Sequence, residues 1–232
     1  YTSKRYLVAK NEEAYRDVFT IHYPDEERHD ARPVKTSPVY DKLRRLGAVF
    51  GQRYGWERAN WFAPEGVEPK DVWSFRRTNY FEHVGNECRR LREKVGVIDL
   101  TPFTKFEVTG PGAEGWLDSL VANKVPTKVG RIALCHALTQ RGGIRSEFTI
   151  TKLADHHYYV VSAGAAERYD SDFLQKKLPT DGSVTLRNIT GSRGVFVLAG
   201  PRARDVMAKL TDVPLDNASF PWLTGQVIEA GL

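Results

Sequence analysis

VTGPGAEGWLDSL, residues 108–120, is answered by LAGPRARDVMAKL, residues 198–210. Each stretch begins as an apolar strand, breaks at a Gly-Pro pair (Gly110-Pro111, Gly200-Pro201) and resumes as a helix. Proline presets the first helical turn, and the N–H it lacks is one that a helix start leaves unpaired anyway. Ala113, Trp116, Leu117 and Leu120 fall at i, i+3, i+4 and i+7, which makes one apolar stripe. Ala203, Val206, Met207 and Leu210 repeat that spacing. Each copy leads on to another expected strand, GRIALC at 130–135 and GQVIEA at 225–230. The pattern predicts two related modules. The first continues through Glu147 and Ser162, whereas the chain reaches Leu232 where the matching strands of the second would begin. The expectation is a domain incomplete at its C-terminus.

The first copy contains a decoy. Residues 110–115 read G-P-G-A-E-G, a literal G-x-G-x-x-G between a strand and a helix. In a dinucleotide site those glycines let the backbone approach a pyrophosphate at the helix start. The second copy keeps Gly200 and Pro201 but has Arg202 and Asp205 in place of the other two glycines. No run of βαβ units surrounds the first copy either. The shared feature is a strand-to-helix hinge, not a nucleotide fingerprint.

Composition narrows the classes. Of 232 residues 41% are hydrophobic and 27% charged, enough for a sizeable core and against wholesale disorder. The net charge of +5 comes from 34 cations interspersed with 29 acids, with no long basic run. That pattern reads as a mixed solvated surface, with no nucleic acid as partner. No apolar stretch is long enough to span a bilayer and no signal peptide is apparent, so no membrane role is expected. Cys88 and Cys135 lie far apart and the histidines show no ligand spacing, which reads as two reduced, buried thiols and no metal site. The first residue is Tyr1, so an excised or processed segment is expected.

Along the chain, residues 1–36 read as an aromatic-bearing helix and a charged connector, HYPDEERHDARPVK, linking to an upstream domain. The main domain then runs over residues 37–232. Ser37 and Pro38 suit a helix start and Gly47 its end. Residues 48–80 read as irregular and aromatic-rich, packed as a satellite of the core. A helix is expected from about Phe81 to Lys94, capped by Gly96. Short strands follow at VIDL, KFEVT, RIALCHAL, IRSEFTITK and HYYVVS. A helix near Ala165–Leu178 precedes further strands around VTLRNI and GVFVLA. The fold class is α+β with mainly antiparallel sheets.

Several stretches together resemble the glycine-cleavage T-protein (aminomethyltransferase) family. They are TSPVYDKLRRLGAVFGQRYGWERANWF (36–62), VIDLTPFTKFEVTGPGAEGWLDSL (97–120), LTQRGGIRSEFTITKL (138–153), HYYVVS (157–162) and LAGPRARDVMAKL. GWERANWFAPEG (55–66) is similar, more narrowly, to the C-terminal half of sarcosine and dimethylglycine dehydrogenases. The resemblance implies a T-protein-like folate-binding fold whose duplicated strand–Gly-Pro–helix modules surround a pocket for tetrahydrofolate. It also implies FAD in an upstream domain that this sequence lacks, with a methylated amine as substrate of the full-length protein. The implied compartment is the bacterial cytoplasm or the mitochondrial matrix.

The same resemblance implies the site. An N-methyl group oxidised to an iminium would be captured on N5 and N10 of tetrahydrofolate, and a carboxylate beside them orients the pterin and holds a proton. Glu147, in RGGIRSEF, stands where T-proteins place an aspartate; it keeps the charge and adds a methylene. Phe103, Leu134 and Val161 match pocket-lining positions, and Ala163 replaces an asparagine, removing a donor and an acceptor. From the residues alone, Phe103, Leu134 and Val161 fit core packing as well, Glu147 fits an outward strand position, and His136 fits a pocket residue or, as the preferred reading, a satisfied core histidine. The alternative function is a non-catalytic regulatory protein of the same fold, like the pyruvate dehydrogenase phosphatase regulatory subunit.

Overall fold

The two Gly-Pro hinges share one backbone conformation. Gly110 has φ +116° and Gly200 φ +113°, a region that side chains strain to enter. A Cβ on Gly110 would lie 2.3 Å from the Ser183 carbonyl oxygen, and one on Gly200 2.6 Å from that of Lys94. The glycine of each hinge is therefore constrained in the same way.

A computed structural model describes residues 3–231. The elements in chain order are α1 (Lys4–Arg16), α2 (Tyr40–Arg45), β1 (Ala48–Arg53), β2 (Trp56–Phe62), α3 (Phe81–Glu93), β3 (Gly96–Asp99), β4 (Thr104–Thr109) and α4 (Ala113–Leu120). They continue with β5 (Ile132–Leu138), β6 (Ile144–Ala154), β7 (His157–Ser162), α5 (Glu167–Lys176), β8 (Thr185–Asn188), β9 (Phe196–Ala199) and α6 (Ala203–Met207). The chain divides into two compact units, Tyr1–Asp99 with Phe196–Pro201, and Leu100–Val195 with Arg202–Leu232.

The first unit holds α1 to α3 and two antiparallel pairs, β1–β2 and β3–β9. Residues 48–80, expected to be irregular, open with the β1–β2 hairpin. Its two turn residues, Tyr54 (φ 53°) and Gly55 (φ 86°), are both left-handed, as a tight hairpin turn requires. The aromatic packing expected there is present: Trp61 is fully buried and its Nε1 donates to Asp71 at 2.7 Å. Residues upstream are tied to the hairpin by a buried Arg32–Glu57 pair at 2.6 Å and by Arg53–Glu27 at 2.6 Å. Gly96 does not cap α3, because it opens β3; α3 ends on Lys94, with φ −131°. The helix expected from Ser37 starts at Tyr40, after a turn in which Ser37 accepts from the Tyr40 N–H. Gly47, at φ +87°, follows that helix as expected. Of the two thiols expected to be buried, Cys88 is exposed, on a helix with no buried residue, and Cys135 is buried.

The second unit is built on one antiparallel sheet in the order β5-β6-β7-β4-β8. Alternation along the strands sends Cys135, Phe148, Ile150, Tyr158, Val160, Phe106 and Val108 to one face. Ala113, Trp116 and Leu117 of α4 and Leu174 of α5 bury against them. Each large side chain so buried contributes roughly 1.5–3 kcal/mol. The opposite face of the sheet carries Glu147 and Val161 of the candidate site.

The second copy of the motif is thinner than the first. Only Ala203–Met207 is helical, with no residue buried, so the expected stripe loses its last member and Leu210 is exposed. GQVIEA forms no strand among the described residues. Its glycine meets its counterpart instead: Gly225 donates to Gly130 at 2.7 Å, and Ile132 to Leu223 at 2.9 Å. Among the described residues one isolated bridge, Arg131 to Thr224, lies beside that segment.

The glycine triplet is no nucleotide cradle. Gly115 has nothing within 4 Å of a would-be Cβ, so no close approach demands a glycine there. A carboxylate, Glu114, occupies the first turn of α4, bonded to the Tyr158 hydroxyl and, at 2.9 Å, to Lys152 Nζ.

Candidate functional site

The register of the sheet fixes what shares its open face. His136 pairs with Glu147 and Leu134 with Thr149 across β5–β6, and Thr149 pairs with Val161 across β6–β7. Side chains alternate, so all five lie on the face away from the core. The β6–β7 ladder begins at Thr149–Val161, and Ile144–Phe148 run on without a β7 partner. A recess of about 320 Å³ lies there, lined by Phe103, Glu147, Thr149, Val161, Ala163 and Asp170 among others.

Four of the five residues singled out from the sequence therefore line one recess: Glu147, Phe103, Val161 and Ala163. Leu134 lies outside the lining, on the same open face. Core packing does not describe Phe103 and Leu134, which are 36% and 46% exposed. The inward positions of β5 are taken by Cys135 and Ala137. Ala163 supplies its carbonyl to the Thr104 hydroxyl at 3.2 Å and brings no polar side chain to the recess.

Glu147 is an outward strand residue, and its side chain is 60% exposed. It is not alone, because His136 Nε2 lies 3.1 Å from its Oε2. His136, expected in the core, is only partly buried on the open face. Its own carbonyl accepts from the Ala122 N–H at 2.8 Å. At the floor Asp170 is 1% exposed, and one of its oxygens accepts from Ser146 Oγ at 2.6 Å. Asp170 Oδ2 and Ser162 Oγ are buried with no hydrogen-bond partner among the described residues. Beside them Arg145 lies over the rings of Tyr169 and Phe173, 4.6 and 4.4 Å from their centroids.

Chemically, the recess offers apolar walls from Phe103 and Val161, acceptors at its floor and a carboxylate at its mouth. Such a set can hold a flat ring that bears N–H groups and can take up a proton there. Among the described residues no group of three or more His, Cys, Asp or Glu is placed to hold a metal. Sequence reasoning weighed His136 and preferred the core for it, and missed Asp170 and Arg145. His136 was recoverable, because it stands directly across the Thr139–Gly143 turn from Glu147. Asp170 and Arg145 carried no such signal.

Residues 39–232 match the GCVT N-terminal domain family. The chain belongs to that family. Residues 1–37 of this GCVT-domain chain match the FAD dependent oxidoreductase central domain. Over 225 residues it is 36% identical to mitochondrial dimethylglycine dehydrogenase of Mus musculus, covering 96% of the chain and 26% of that relative. It is 29% identical to the mitochondrial pyruvate dehydrogenase phosphatase regulatory subunit of Mus musculus, covering 99% and 27% respectively. The chain thus spans about a quarter of the length of these relatives. The glycine cleavage system aminomethyltransferase T structure from Bartonella henselae superposes with a TM-score of 0.66 at 22% identity, covering 83% of the GCVT-domain chain and 47% of that structure. That likeness shows the T-protein fold. No helix of the described residues is long and apolar enough to cross a membrane.

Proposed function

We propose that this GCVT-domain chain binds tetrahydrofolate in the recess beside Glu147, as the one-carbon-transfer part of an FAD-dependent N-methyl amine dehydrogenase. The observation that carries the reading is the carboxylate of Glu147 at the mouth of an apolar recess walled by Phe103 and Val161. The likeness to dimethylglycine dehydrogenase along 96% of the chain supports the choice of ligand. Residues 1–36 are the junction to a flavin domain upstream, and residues 37–232 are the folate-binding part. The compartment is the mitochondrial matrix or the bacterial cytoplasm.

A flavin held upstream would supply the oxidation, taking two electrons and a proton from the amine's methyl group and leaving an iminium. Capture is then a condensation. The iminium carbon forms bonds to N5 and N10 and its bond to the amine nitrogen breaks. Of the two protons lost from N5 and N10, one leaves with the secondary amine and the other is released. Glu147 takes up that second proton and steadies positive charge beside the forming bridge. Phe103 and Val161 would give the ring apolar contacts and shield it from water. Asp170 Oδ2 and Ser162 Oγ accept hydrogen bonds at the floor.

Anaerobic titration calorimetry of the full-length protein with tetrahydrofolate tests this. Saturable binding is expected, weakened at least about tenfold by Val161→Trp, which fills the recess. A wild-type protein that gives no binding heat overturns the reading. A regulatory role is favoured by one observation, the likeness to the phosphatase regulatory subunit over 99% of the chain. It is the better account if folate binds and no methylene-tetrahydrofolate forms.

A further inference from the structure

Glu147 has a positioning problem. Its side chain is 60% exposed, so packing does not choose among its rotamers. A free glutamate keeps much of its conformational entropy, whereas a group that must take a proton at a defined atom has to be held within a fraction of an ångström. Something on the open face must do the holding.

His136 has the geometry. It stands directly opposite Glu147 in the β5–β6 ladder, where facing side chains are close enough to interact. Its Nε2 is 3.1 Å from Glu147 Oε2. A carboxylate only accepts hydrogen bonds, so the proton in this contact is on Nε2. His136 is anchored through its backbone, the Ala122 N–H donating to its carbonyl at 2.8 Å. With Oε2 engaged, Oε1 is left for a ligand.

We infer that His136 is a positioning residue: its Nε2–H holds Glu147 Oε2 and so presents Oε1 to the recess. This rests on the reading of Glu147 as the group that acts on bound folate. The pair is exposed, so it adds little to stability; its effect falls on the reaction.

The test measures formation of methylene-tetrahydrofolate from formaldehyde and tetrahydrofolate by the anaerobic full-length protein, with folate affinity and the thermal midpoint recorded for each variant. His136→Ala is expected to lower the capture rate about tenfold, the scale of one lost charge-assisted hydrogen bond. Folate affinity should stay within about threefold, and the thermal midpoint close to that of wild type. His136→Gln, which restores a donor at similar reach, is expected to recover the rate to within about threefold. In a Glu147→Ala background His136→Ala should change nothing further. Capture unchanged in His136→Ala overturns the inference, and so does His136→Gln as impaired as His136→Ala. A further tenfold loss in the Glu147→Ala background also overturns it, since His136 would then act on its own. If Glu147→Ala itself leaves capture untouched, the underlying folate reading has failed, and the inference with it.

Discussion

Replacing Gly110 with alanine tests whether the Gly-Pro unit is a structural hinge. Gly110 sits at φ +116°. Forcing a side chain into so sparse a region costs of order 1–3 kcal/mol. The new Cβ would also lie 2.3 Å from the Ser183 carbonyl oxygen, so one of the two must move. That same oxygen accepts from the Gly112 N–H at 3.0 Å, and displacing it forfeits about 1 kcal/mol more. The expected destabilisation is about 2–4 kcal/mol, lowering the urea midpoint by about 1 M or more. Gly200→Ala should behave alike, because φ there is +113° and the Lys94 carbonyl oxygen is 2.6 Å from the would-be Cβ. Gly115 is the control. It lies inside α4 with nothing within 4 Å of a new Cβ, so Gly115→Ala should stabilise by roughly 0.5–1 kcal/mol. Equilibrium urea unfolding measures all three. A Gly110→Ala protein within about 0.5 kcal/mol of wild type, the usual scatter of inconsequential substitutions, would refute the reasoning. So would a Gly115→Ala protein as damaged as Gly110→Ala, since a demand for all the glycines is what a nucleotide fingerprint makes.

Two further predictions concern the Glu114–Tyr158 contact and the two thiols. The Glu114 carboxyl is held below its usual range by the Tyr158 hydroxyl first and by Lys152 next. A carboxyl depressed in the folded state adds stability above its unfolded pKa and loses it as pH falls through the folded value. Tyr158→Phe should therefore cost at most about 1 kcal/mol at neutral pH, because the Glu114 side chain is 42% exposed and its interactions are screened by water, with the gap to wild type closing below about pH 4. Thermal unfolding between acid and neutral pH checks this, and a gap that does not depend on pH would count against it. A thiol-specific reagent should modify Cys88 in the native protein and reach Cys135 only on unfolding. Cys135 is fully buried and its thiol is pushed up, chiefly by burial. Two native thiols reacting at equal rates would contradict that.

Much of this fold was legible because the signals were local. The Gly-Pro hinges, the strand at HYYVVS and the exit at Gly47 all follow from residue chemistry within a few positions. The β1–β2 hairpin was missed because its turn is Tyr54-Gly55, and a tyrosine at positive φ is not a turn signal that composition reveals. Gly96 was misread because glycine suits a helix end and a strand start equally, and only pairing with Ala199 decides between them. The stripe in the second copy failed for lack of length, since a helix ending at Met207 cannot present Leu210.

The site divides in the same way. Glu147 and the residues around it came from resemblance, and the sheet then brought four of the five to one recess. His136 was legible in principle, because hairpin register alone sets it across from Glu147. Asp170 belongs to α5, a separate element, and its approach to Ser146 depends on how that helix packs on the sheet. No pattern in the sequence encodes that contact.

The most direct test of the account is the rate at which Glu147→Gln forms methylene-tetrahydrofolate from formaldehyde and tetrahydrofolate, under anaerobic conditions, in the full-length protein. Glutamine keeps the size and removes the base. Capture is expected to fall about a hundredfold or more, the scale of a lost general base, with tetrahydrofolate still bound. A Glu147→Gln protein that captures formaldehyde at the wild-type rate would contradict it.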